Sequence, residues 1–144
     1  NIKIEAENKS KGCFVNFLCS EAADFHLRMG IKVIAEGRMI TLHLAPSFTV
    51  PDEKIPLMTE LIGRINKMSI HNHLFIQQDP KRISLIKGII IIDGVLDKKE
   101  FKLILDSILA CGRMVFPMIK EQLSSNESPA AAVERLLGTA TCNE

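Results

Sequence analysis

The chain has 144 residues, and its 18 Lys and Arg against 17 Asp and Glu leave a formal net charge of +1. A core of about 100–200 residues accommodates that length, so residues 1–144 read as one domain. So balanced a charge builds no field to gather nucleic acid or coat an anionic membrane, and the absence of Trp and Tyr removes most base-stacking platforms.

No run approaches the ~18 consecutive apolar residues of a membrane span, so no membrane partner is expected. Cys13, Cys19, Cys111 and Cys142 form no C-x-x-C pair, so neither a zinc knuckle nor a thioredoxin-like site is suggested. On a straight strand rising ~3.3 Å per residue, Cys13 and Cys19 would share a face but stand about 20 Å apart, beyond disulfide reach. They read as small thiols in a reducing, cytoplasmic setting. The sequence opens on Asn1 with neither Met nor a signal peptide and reads as a trimmed fragment.

Alternation opens the chain: Ile2, Ile4 and Ala6 share one face, with charges on the other. A second strand is expected from Cys13 to Cys19. Phe25, Leu27, Met29, Ile31 and Val33 then alternate with polar neighbours, and Gly30 is read as a bend or bulge. A turn at Glu36-Gly37 leads into the alternating segment from Met39 to Leu44, a hairpin. After Pro51, Asp52 or a neighbour caps a helix striped by Ile55, Met58, Ile62, Ile65 and Met68, with Glu60 and Arg64 paired one turn apart.

Leu74-Phe75-Ile76, a turn at Asp79-Pro80-Lys81 and the segment Ile83–Ile92 form a second hairpin. Its β-branched end, Ile89–Ile92, fits a strand covered on both faces. Asp93-Gly94 closes it, and Asp97 with Glu100 opens a long helix apolar on most sides, which Gly112 and Pro117 are expected to kink or split. Ser128 and Pro129 start a short last helix that Gly138 ends. Strands grouped with helices rather than alternating with them predict an α+β fold, an antiparallel sheet of about five strands with helices packed on one face.

Chemistry is sparse. His71 and His73 have the spacing of two metal ligands on one strand, but no acidic or thiol cluster completes the set, and a polar loop is the plainer reading. There is no G-x-S-x-G, no G-x-G-x-x-G and no G-K-S/T, and the acidic pairs Asp52-Glu53 and Asp97 with Glu100 fit helix starts. No catalytic residue and no cofactor is expected.

Three stretches resemble the YbjN-domain family of bacterial sensory transduction regulators. They are Phe25-His26-Leu27-Arg28 through Leu44 with Val50-Pro51 and Arg64-Ile65-Asn66, then His71 through Ile76 with Asp79-Pro80 and the helix to Phe116, and the tail Ser128 to Val133. The resemblance implies a fold like that of the type III secretion chaperones: small, cytoplasmic, dimeric α+β proteins that bind client segments. It also implies a helix before the first strand, which this sequence lacks, and it supplies no catalytic residues.

The expected function is therefore a non-enzymatic protein-binding or regulatory module, a homodimer with a possible client protein. Its partner surface is placed on the long helix, at Leu105, Leu109, Met114, Phe116 and Met118. Two alternatives stand beside it: a sensor for a small apolar ligand in a cavity lined by Met58, Ile62 and Ile104, and an enzyme of uncharacterised activity.

Overall fold

The period-2 pattern of the first half folds as it reads. In the strand containing Phe25, the side chains of Phe25, Leu27 and Met29 are buried while His26, Arg28 and Lys32 are exposed. The computed structural model describes residues 3–7, 12–20, 23–34, 39–68, 72–91 and 96–140. Its strands are β1 (Lys3–Glu7), β2 (Gly12–Ser20), β3 (Ala23–Ile34), β4 (Met39–Pro46), β5 (His73–Ile76) and β6 (Ile83–Ile90). They form one antiparallel sheet in the order β1-β2-β3-β4-β6-β5. The count is six rather than about five, because the short first segment pairs along β2 through Ile4 and Val15.

Gly30 is not a bulge. It sits in regular register between Phe14 and His43, and the irregularity falls instead between Leu18 and Ser20 on β2. The expected turns at Glu36-Gly37 and Asp93-Gly94 lie outside the described residues.

A 3-10 turn, Asp52–Lys54, leads into α1 (Ile55–Met68). Asp52 makes no side-chain cap; its carboxylate pairs with Lys81 instead. The apolar stripe buries Met58, Leu61, Ile62 and Ile65 and stops before Met68, which is exposed. Glu60 and Arg64 pair at 2.9 Å as their spacing predicts.

α2 (Lys98–Ser124) begins at Asp97, whose carboxylate accepts from the amides of Lys99 at 2.7 Å and Glu100 at 3.1 Å. It runs on past Gly112 and Pro117, so the helix is not split there. Proline removes one backbone hydrogen bond, and the burial of Val115, Phe116, Met118 and Ile119 around it outweighs that loss. Gly112 is a contact point rather than a hinge: a Cβ there would lie 2.4 Å from Leu44 Cδ2 and 3.3 Å from the Phe116 ring. α3 (Pro129–Ala140) starts with the amide of Ala131 donating to Ser128 Oγ at 3.2 Å and continues through Gly138. Arg135 binds Glu121 and Glu127, each at 2.9 Å, and ties α3 to the end of α2.

The core lies between one sheet face and the three helices. Leu27, Met29, Leu42, Leu44 and Leu85 meet Met58 and Leu61 of α1, Ile108, Phe116 and Ile119 of α2, and Ala132 of α3 in one cluster. Asn66 links the layers at the sheet edge: its amide nitrogen donates to Leu74 O and its oxygen accepts from Leu74 N, both at 2.8 Å. The side chain thus takes the place of a neighbouring strand on β5.

Candidate functional site

The helices occupy one face of the sheet, and the other face is left bare by the described elements. Its positions follow from register: Arg28, Gly30 and Lys32 on β3, Met39, Thr41, His43 and Ala45 on β4, Ser84, Ile86, Gly88 and Ile90 on β6, His73 and Phe75 on β5. No acidic residue stands among them. Ile90 is 75% exposed, so the β-branched run of β6 is covered on one face only, not on both as its composition suggests. Met39 opposite it, and Ile86 and Phe75 farther along the face, are half-buried.

Toward the other end of the same face is a depression of about 360 Å³ lined by Arg28, Gly30, His43, Ala45, Gln77, Arg82 and Ser84. The ladders explain its shape. Arg28 pairs with Ala45, His43 with Gly30 and Ile86, and Phe75 with Ser84, while the Gln77 amide donates to Arg82 O at 2.7 Å. Small residues on three adjacent strands (Gly30, Ala45, Ser84) make the floor, and longer side chains make the rim. A second depression, along the 3-10 turn and α1, contains Asp52 and Lys81, which neutralise each other.

Burial, and then the charge of Lys32, hold the His43 imidazole below its ordinary value of 6.5. Arg28 and Lys32 on β3 lie on the same face, and the Phe75 ring meets the imidazole edge-on with centroids 6.5 Å apart. The unfolded chain takes up this proton near pH 6.5 and the folded chain only at lower pH, so stability falls as the pH drops through about 6.5. Melting temperature is expected to decline between pH 7.5 and 5.5, and His43→Gln to lose part of that decline. An unchanged decline in the variant would show that other groups carry it.

The five residues expected on a partner surface separate. Phe116 and Met118 belong to the chain's own core, because α2 turns them onto the sheet layer. Leu105 and Leu109 are half-buried against that core, and Met114 is 47% exposed. The outer side of α2 carries Leu103, 70% exposed, with Ser107, Ala110 and Met114 at helical spacing. Leu103 is not among the five expected residues, although it is the most exposed large apolar side chain described on α2.

His71 lies outside the described residues, and His73 is exposed on β5 opposite Ile86. Among the described residues no group of three His, Cys, Asp or Glu side chains is placed to hold a metal. Met58 and Ile62, expected to line a ligand cavity, are packed in the core, with Ile104 half-buried against it. Cys111 is half-buried and its thiol is pushed above its ordinary value by burial, which lowers its reactivity. The side chains of Cys13 and Cys19, and all of Cys142, lie outside what is described. No helix among the described residues is long and apolar enough to cross a membrane.

The chain matches no family model, no curated protein and no solved structure.

Proposed function

We propose that the chain is a non-enzymatic, cytoplasmic protein-binding module that takes its partner on the bare face of the sheet. The observation that carries this reading is Ile90, a β-branched side chain 75% exposed opposite the half-buried Met39, with Ile86 and Phe75 farther along the same face. Apolar side chains gathered on one uncovered face of a folded domain mark an interaction site. The β3-to-β6 part of the face is basic, through Arg28, Lys32 and Arg82, with no acidic residue at the register positions named above, whereas the acidic register positions Glu5 and Glu7 fall at the far edge, on β1. A protein segment joining acidic and aliphatic side chains complements both halves. The resemblance to YbjN-domain proteins and to secretion chaperones, which hold client segments, agrees with a client-binding role.

A displayed peptide library panned on the whole chain tests the reading. Acidic-aliphatic sequences are expected to be enriched, and Ile90→Asp to abolish their binding. Enrichment of basic sequences, no enrichment, or equal binding by the variant would refute it.

A second reading, homodimerisation, rests on the outer stripe of α2. Leu103 and Met114 flank the small residues Ser107 and Ala110, which allow two helices to approach closely. Light scattering should then give twice the 16.0 kDa chain mass, returning to a single mass in Leu103→Lys/Met114→Lys. A native chain that stays single at high concentration rules the dimer out.

A further inference from the structure

We propose that the depression floored by Gly30, Ala45 and Ser84 is a binding site for a carboxylate or phosphate group. Two buried atoms on its wall and floor point to a ligand. Ser84 is 0% exposed and its Oγ has no hydrogen-bond partner, and Arg82 Nε is buried without one. Both can donate, and a buried donor left without an acceptor is costly. The remaining polar lining, Arg28, Gln77 and His43, also supplies donors, and no carboxylate among the described residues lines the space.

The missing component is an acceptor with negative charge. An oxyanion presents acceptors only, and guanidinium groups bind its planar or tetrahedral oxygens in charge-assisted pairs. Geometry fits as well. Arg28 on β3 and Arg82 before β6 stand on either side of β4, so they flank a gap two strand spacings wide, about 10 Å. The volume of about 360 Å³ suits a small group rather than an extended ligand.

The site shares Arg28 and Arg82 with the docking reading, and the two fail separately: small free anions probe the depression alone, whereas peptide binding also requires Ile90. The test is thermal melting and titration calorimetry of the whole chain with inorganic phosphate and, separately, succinate, against chloride at matched ionic strength. At about ten times the dissociation constant, the bound anion should raise the melting temperature by about 4–5 °C. A response to phosphate alone, to succinate alone or to both supports the site and names the group it prefers.

Arg82→Gln and Arg28→Gln should each weaken binding about tenfold or more. Ser84→Ala should weaken it several-fold while leaving the anion-free melting temperature unchanged or raised, since it removes an unsatisfied buried hydroxyl. That combination separates a binding role from a structural one, and it holds the test open if Arg82→Gln fails to fold. Neither anion exceeding chloride, or full binding retained by Ser84→Ala and Arg28→Gln, would overturn the proposal.

Discussion

Phe116→Ala is expected to lower stability by about 3–5 kcal/mol, the cost of deleting a fully buried aromatic ring and leaving its cavity. Phe116 is 0% exposed and sits where α2 meets the sheet beside Gly112. Met114→Ala, one half-turn away on the outer side of the same helix, is expected to change stability by no more than about 0.5–1 kcal/mol. Urea unfolding of both variants separates the two sides. Equal losses would mean that α2 is rotated relative to the sheet, and Phe116 would return to the candidate partner surface.

Gly112→Ala carries the second large effect, with a sign opposite to the one helix propensity gives. An alanine inside a helix ordinarily gains about 1 kcal/mol over glycine. At Gly112 the new methyl would meet Leu44 Cδ2 at 2.4 Å, and Leu44 is fully buried and cannot swing away freely. Overpacking of this kind costs about 1–3 kcal/mol, so a net loss is expected. Gly63→Ala in α1, with nothing within 4 Å of its Cβ, is the control and should gain about 0.5–1 kcal/mol. Parallel gains at both positions would contradict the close approach of α2 to β4.

Much of this fold is legible in local pattern. The alternation from Phe25 to Met29, the stripe from Met58 to Ile65, and the caps at Asp97 and Ser128 are each settled by neighbours within a few residues. Local pattern fails where tertiary contact decides. Pro117 and Gly112 carry helix-breaking propensity, yet α2 continues because the burial around them outweighs it. Gly138 does not end α3 either, although it is exposed and a Cβ there would meet nothing within 4 Å.

The candidate site was almost invisible for a related reason. Arg28, His43, Ser84 and Arg82 are brought together by β4 pairing with β6 and skipping β5, a choice made by the whole sheet. One clue was available: Gly30, Ala45 and Ser84 all fall on the off-core phase of their strands, and small residues clustered there mark a hollow. The exposure of Ile90 had no such clue, since a β-branched run reads the same whether its second face is covered by the chain or by a partner.

The location of the docking surface can be read directly by methyl NMR during titration with an enriched acidic-aliphatic peptide. The methyl signals of Met39, Ile86 and Ile90 are expected to shift as the peptide binds, with those of Leu103 and Met114 on α2 unmoved. Shifts confined to Leu103 and Met114 would contradict the account and place the partner on the helix instead of the sheet.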